Sequence, residues 1–367
     1  MNLFGLERKE IERAMLERGL PAFRGRQIYR ALYSRGASSF ESMTELPKGL
    51  REDLSRDHAI GRPKIASRYV SKDGTTKYLI ELADGRNVEC VYIPEPAFAQ
   101  GASARLAEAS RRRPSRHTFC LSTQVGCPLK CSFCFSGTIR FERNLSAGEI
   151  LAQFLLARGA LAETKARSNI VFMGMGEPLL NSDAVLKAIR ILTDDEAFSV
   201  SPRRITVSTA GMVEELARFA AEAPPVGIAI SLHATTDEIR DRVMPINRKH
   251  PLEELLDAAR ALPIPKRRRI TFEYVLLGGE NDGPEDAKRL ATLLRGIKAK
   301  VNLITYNPWP GAPHDRSSPR ATSRFLEILA DSGLTASLRR SRGDDVLAAC
   351  GQLANQSPTA PVGAASV

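Results

Sequence analysis

The chain has no apolar run near the length of about 18 residues that a membrane-spanning helix needs. Its start, Met1-Asn2-Leu3-Phe4-Gly5-Leu6-Glu7-Arg8, lacks the charged opening and apolar middle of a signal peptide. These two absences predict a cytoplasmic protein with no membrane partner. A disulfide framework is missing too. Six cysteines in 367 residues, at uneven spacing, do not make the dense pattern of a small secreted domain. Reduced thiols suit metal binding or thiol chemistry instead.

What the cysteines do form is a C-x3-C-x2-C run, Cys127, Cys131 and Cys134. Three thiolates on one short loop can each grip one corner of a four-iron cluster, for which thiolate is the usual ligand. The fourth iron is then open to chemistry. A zinc knuckle is the plainer reading. Structural zinc wants four protein ligands, and no nearby His or Cys at finger-like spacing supplies the fourth. The spacing favours the cluster over zinc.

Lys and Arg number 53 against 42 Asp and Glu, a net charge of +11. That balance favours a polyanionic partner, nucleic acid above all, although a solvated basic surface is the ordinary alternative. The cations gather in four places: Arg24, Arg26, Arg30 and Arg35; Arg111, Arg112, Arg113 and Arg116; Lys266 to Arg269; and Arg339, Arg340 and Arg342.

At about 150 residues per domain, the length fits one large catalytic domain and a smaller one. Residues 1–62 read as a small helical domain with helices over 7–18, 24–34 and 41–54, the last interrupted near Pro47. An RNA-gripping appendage and a packing cap fit it equally. Residues 63–116 change period. Runs at 77–82 and 87–93 flank Ala83-Asp84-Gly85-Arg86, a hairpin signal. An Ala-, Ser- and Arg-rich linker follows from 96 to 116. Residues 117–353 alternate strands (118–123, 169–173, 204–209, 226–232, 270–276, 300–306) with helices (146–159, 182–193, 212–222, 251–262, 284–298, 318–332). A short last strand is expected over 336–339. Strand–helix repeats build a parallel sheet flanked by helices. Six units predict an α/β fold, a partial (βα)6 barrel. Residues 354–367 read as a disordered tail.

Active sites of parallel barrels lie where strands end. The unusual residues collect there: the cysteine loop, Gly174-Met175-Gly176-Glu177-Pro178, Ser208, Ser231-Leu232-His233 and Asn307. Glycines admit a ligand to the backbone, and Glu177 offers a carboxylate to an amino group. An open iron and such groups suit S-adenosylmethionine.

Longer stretches carry a resemblance. Val88-Glu89-Cys90-Val91-Tyr92-Ile93-Pro94, Cys120 through Cys127, Met173 through Leu180, Ser231 through Ala234, Tyr306 through Pro313 and Arg342 through Leu353 resemble the RlmN/Cfr family of radical S-adenosylmethionine RNA methyltransferases. The resemblance spans nearly the whole chain. It implies a radical S-adenosylmethionine barrel holding one [4Fe-4S] cluster on Cys127, Cys131 and Cys134. Gly176, Glu177, Ser208, Ser231, Leu232, His233 and Asn307 match positions that hold S-adenosylmethionine, two of which are used per turnover. Cys350 matches the cysteine that is itself methylated, Cys120 the second catalytic cysteine and Glu89 the proton acceptor. The implied reaction is methylation of C2 of an adenosine in 23S rRNA, and of adenosine 37 in some tRNAs. It passes through a transient Cys120–Cys350 disulfide. An external electron donor and a thiol reductant are implied, and a monomer is expected. The C8-specific, Cfr-like branch shares the catalytic motifs and remains the alternative, with a non-catalytic iron–sulfur RNA-binding protein as a rival from another class. Three departures stand out: the 96–116 stretch is longer than the family's usual connection; Phe135 stands where a small residue is usual, with no Gly-Phe near 140–141; and the C-terminus after Leu353 is neutral where many relatives carry a basic tail. Core packing is the default for Cys90 and Trp309.

Overall fold

A computed structural model describes residues 1–95, 116–161 and 167–355. The long 96–116 connection therefore lies almost wholly outside the described residues, as do 356–367. Ala354 and Asn355, assigned to the tail above, are held: Ala354 is buried, and Asn355 Nδ2 donates to the Asn87 carbonyl at 2.7 Å.

One ten-stranded sheet organises the protein. Its strands are β1 (Lys64–Val70), β2 (Thr76–Glu81), β3 (Asn87–Pro94), β4 (Arg116–Cys120), β7 (Arg167–Phe172), β8 (Ile205–Thr209), β9 (Gly227–Ser231), β10 (Ile270–Leu276), β11 (Ala299–Thr305) and β12 (Ala336–Arg339), neighbours in that order. The short pair β5 (Gln124–Val125) and β6 (Arg143–Asn144) stands apart. From β4 to β12 every neighbouring pair is parallel; β1 to β4 are antiparallel. Strand ends from β7 to β12 line one cavity, so the sheet curves into an open barrel. The six expected barrel strands are all present, and β12 extends them. The hairpin is no separate linker, because β3 pairs with β4 and continues the sheet. Strand β1 escaped the sequence reading; its exposed, Arg- and Lys-bearing face hides the strand period.

Physical punctuation explains the element ends. Gly85 takes φ +78° at the hairpin tip. Ser146 caps the helix Ala147–Gly159: its hydroxyl accepts from Glu149 N, and the Glu149 carboxylate bonds back. The third N-terminal helix is Lys48–Asp57 rather than 41–54. Pro47 cannot continue a helix but can open one, so it starts this helix instead of interrupting it.

The N-terminal helices share a hydrophobic core with the barrel. Tyr33 packs on Phe198 with ring centroids 5.7 Å apart, and Phe198 on Phe154 at 5.3 Å. Burying each such ring contributes about 1.5–3 kcal/mol. Gly5 lies against Gly148, where an added Cβ would sit 2.6 Å from the Gly148 nitrogen. Arg8, Arg26 and Arg30 converge on Glu196 of the barrel, with N···O distances of 3.0 Å for Arg8 and 2.8 Å for Arg30. Arg26 and Arg30 of the first basic cluster, with Arg8, thus dock this domain onto the barrel. No helix among the described residues is long and apolar enough to cross a membrane.

Candidate active site

Cys127, Cys131 and Cys134 sit on the loop between β5 and β6. Its path is fixed by backbone bonds: Cys134 N to Cys131 O at 3.1 Å and Ser132 N to Val243 O at 3.0 Å. Glycine is needed at 126, where φ is +74° and a Cβ would collide with the Arg140 carbonyl. All three cysteines line a cavity of about 980 Å³, mouth included, at the carboxyl ends of the strands. Gly176, Glu177, Ser208, Ser231, His233, Asn307 and Cys350 line it too. Burial pushes the Cys127 thiol up to about 12 and raises Cys131 and Cys134 as well. A bound metal reverses that cost by taking thiolates. Among the described residues no three His, Cys, Asp or Glu side chains converge tightly enough to hold a single ion. A four-iron cluster asks for something wider, one thiolate on each of three irons, and the cysteine-lined cavity fits it.

Glu177 is buried, and both its oxygens are engaged. Oε1 accepts from Leu179 N at 3.0 Å and Oε2 from Ala210 N at 2.7 Å. Burial outweighs these bonds and lifts the carboxyl to about 7. At Gly176, φ is +97° and a Cβ would stand 2.5 Å from the Gln124 side chain, whose Oε1 accepts from Glu177 N at 2.9 Å.

His233 occupies the left-handed region with φ +56°. Val275 N–H donates to its Nδ1 at 2.9 Å, which leaves the ring proton on Nε2. Burial and the nearby Arg240 drive its pKa down to about 3, so the imidazole is neutral. Leu232 differs from its neighbours. Its side chain is fully buried in the apolar core, so any contact it makes with a ligand is through backbone.

Asn307 links the barrel to the C-terminal segment. Its Nδ2 donates to the Cys350 carbonyl at 3.1 Å. The segment is also stitched to the cysteine loop. Phe135 N bonds Gly351 O at 2.7 Å, and Ser136 Oγ bonds Leu353 O at 2.6 Å. The unusual Phe135 stacks on Trp309, centroids 4.6 Å apart and planes 5° off parallel, so the two aromatics fill one another's space. Cys350 lines a second, adjoining cavity of about 780 Å³, where Cys120 also lies. Burial and neighbouring Cys350 raise the Cys120 thiol to about 12, against the opposing charge of Arg339. All six cysteines are free thiols, so no disulfide is a resident part of the fold. Cys90 faces the other way, its thiol 3.9 Å from the Gln153 carbonyl in the core.

Glu89 lines neither cavity. It is fully buried behind the second one, with Lys77 Nζ 2.9 Å from Oε1 and Ala354 N donating to Oε2 at 2.8 Å. Burial raises its pKa despite Lys77.

Three residues of this region escaped the sequence reading. Glu273 is buried in the cavity wall. Its Oε1 accepts from Asn302 Nδ2 at 3.0 Å, while Oε2 has no hydrogen-bond partner among the described residues. A lone charged side chain in the otherwise uncharged, buried strand Ile270–Leu276 was its signal. Arg339, at the end of β12, faces both cavities. Arg240 is fully buried and donates to the carbonyls of Ala210 at 2.8 Å, Leu232 at 3.1 Å and Ser231 at 3.2 Å, pinning the ends of β8 and β9. Nothing in its short helix, Asp237–Val243, marked it.

Known proteins share this arrangement. The profile of the Radical SAM superfamily matches residues 121–291, and that of the ribosomal RNA large subunit methyltransferase N-terminal domain matches residues 1–60. The dual-specificity RNA methyltransferase RlmN of Dinoroseobacter shibae is 46% identical, over 96% of this chain and 89% of that protein. The protein of the same name from Geobacter sulfurreducens is 47% identical, over 96% of this chain and 92% of its own length. A crystal structure of a radical SAM methyltransferase from Sphaerobacter thermophilus, 40% identical, superposes with a TM-score of 0.87 over 97% of this chain and all of that one. At 46–47% identity over nearly the whole of both chains, this protein belongs to the RlmN family of radical S-adenosylmethionine RNA methyltransferases.

Proposed function

We propose that this protein methylates C2 of an adenosine in 23S rRNA, and adenosine 37 in some tRNAs, with Cys350 as the methyl carrier. The observation that carries the reading is the placement of Cys350. It lines the cavity of the three loop cysteines and, on its other side, the cavity that holds Cys120.

Cys127, Cys131 and Cys134 would hold a [4Fe-4S] cluster; with bound S-adenosylmethionine it supplies a 5′-deoxyadenosyl radical. Gly176, Glu177, Ser208, Ser231, His233 and Asn307, with the Leu232 backbone, would hold S-adenosylmethionine. Neutral His233 offers an Nε2–H donor. Adenine C2 is not nucleophilic, so a sulfonium methyl cannot pass to it directly. The Cys350 thiolate is the competent nucleophile and takes the methyl first. Loss of one hydrogen from that S-methyl group gives a carbon radical able to add to the ring. Glu89, made more basic by burial, receives the C2 proton once Ala354 releases Oε2. The odd electron of the adduct passes to an external one-electron carrier. Cys120 then attacks the Cys350 sulfur, the carbon–sulfur tether breaks with its electron pair going to the methylene carbon, that carbon takes a proton to become the methyl group, and the new Cys120–Cys350 disulfide is reduced by an external thiol. Two molecules of S-adenosylmethionine and an external electron donor serve each turnover.

The test is nucleoside mass spectrometry of rRNA and tRNA treated with the reconstituted enzyme. The reading requires 2-methyladenosine. Formation of 8-methyladenosine alone would transfer the protein to the C8 branch.

A further inference from the structure

The fold treats the basic clusters unequally. Arg26 and Arg30 of the first lie on Glu196, and Arg35 lies on Glu45; Arg116 of the second lies on Glu95 at 3.0 Å, and Arg342 of the fourth lies on Asp73 at 2.6 Å. The cluster at 266–269 is left open. Folding adds three more cations to it, so Lys266, Arg268, Arg269, Lys288, Arg295 and Lys298 line one solvent-open groove of about 1440 Å³. Among the described residues no carboxylate lines that groove. Among the described residues only Lys288 has an acidic partner, Glu285 at 2.7 Å, and Arg269 bonds Thr335 Oγ1 at 2.8 Å. Partial burial, then nearby Arg203, hold the Arg268 guanidinium below its usual range. A groove lined by cations is a place for an anion.

The groove's position narrows its use. Its residues precede β10, β11 and β12, whereas the cysteine cavity lies at the opposite, carboxyl ends of the strands. Seven-residue strands of roughly 3.3 Å per residue separate the two by about 20 Å. That is a long way for electrons to reach the cysteine loop, which disfavours the docking site of an acidic reductant. It is a short way for RNA, which carries a phosphate at every nucleotide.

We propose that this groove binds the phosphodiester backbone of the RNA substrate at a segment remote from the methylated adenosine. The proposal rests on the RNA reading above. Long substrates that wrap the barrel reach both places; a short hairpin fills the mouth alone.

The experiment combines Lys266→Ala, Arg268→Ala and Lys298→Ala in the holoenzyme. Binding is measured against salt for a long rRNA fragment and for a minimal hairpin bearing the same adenosine. Each lost phosphate contact lowers the slope of log K against log salt by about 0.7–0.9, so the long fragment should lose about 2 in slope. Hairpin binding, hairpin kcat and the melting temperature should stay as in the wild type. Unchanged slopes overturn the proposal, as do equal losses on both RNAs. Intact RNA binding with slowed reduction by an acidic electron-donor protein overturns it in favour of a protein dock. A wild type that methylates neither RNA would sink the RNA reading itself; unchanged slopes in a wild type that methylates both would sink only the groove.

Discussion

Asn307 Nδ2 donates to the backbone carbonyl of Cys350 at 3.1 Å, so a barrel strand end and the C-terminal segment share one hydrogen bond in the middle of the site. The bond fixes where the Cys350 sulfur points without touching the sulfur. Asn307→Ala removes it. A bond of this kind is worth about 1 kcal/mol, so methylation of Cys350 should slow by about fivefold to tenfold. Intact-protein mass spectrometry with S-adenosylmethionine and no RNA reads that rate at saturating cofactor. An unaltered rate would mean that Cys350 is positioned by other contacts.

Lys77 and Glu89 form an ion pair at 2.9 Å with both side chains out of water. Removing one partner of such a pair strands a buried charge and typically costs about 3–5 kcal/mol. Lys77→Met should lower urea stability by that order. Adding Glu89→Leu should recover most of the loss, although the double variant will not release product. Equal destabilisation in single and double variants would count against a coupled pair.

Glu196 holds the N-terminal domain through Arg8, Arg26 and Arg30, which cover it until 13% of its side chain is exposed. Hydrogen bonding to Arg26, then Arg8, brings its pKa down to about 2. A carboxylate with a depressed folded-state pKa stabilises above its unfolded value of about 4.3 and loses that contribution as pH falls toward 2. Wild type should therefore melt above Glu196→Gln at pH 7 and low salt. The gap should close between about pH 4.5 and pH 2, and shrink in high salt. A gap that persists at pH 2 would point to packing instead of charge.

Gly176→Ala asks a Cβ to share space with Gln124 at φ +97°. Left-handed backbone costs a non-glycine residue about 1–2 kcal/mol before any clash. Calorimetric binding of S-adenosylmethionine should weaken by at least tenfold. Retained affinity would remove Gly176 from the binding cavity.

Much of this was legible in the chain. Strand–helix alternation gave the six barrel strands because short runs rich in apolar and β-branched residues alternate with longer helical stretches. The cysteine loop was legible because three closely spaced thiols have few other uses, and the strand-end residues because polar or glycine features recur at five strand ends. Arg240 was not, since a buried arginine looks like any surface arginine until its carbonyl partners from two strand ends come together. Arg339 was hidden in the same way inside a basic run. Leu232 sits among the site residues in sequence, yet its side chain turns to the core because the strand end alternates faces. The basic clusters were visible, but their partners lie up to 269 positions away, as with Arg342 and Asp73, so only folding separates the neutralised from the open.

The most direct test of Cys350 as methyl carrier uses Cys120→Ala, which cannot free the product. This variant is incubated with S-adenosylmethionine, reductant and an rRNA fragment, then digested with nuclease and trypsin and analysed by mass spectrometry. The account predicts a peptide in which Cys350 carries adenosine through one methylene carbon. Methylated adenosine released in full, with Cys350 unmodified, would contradict it.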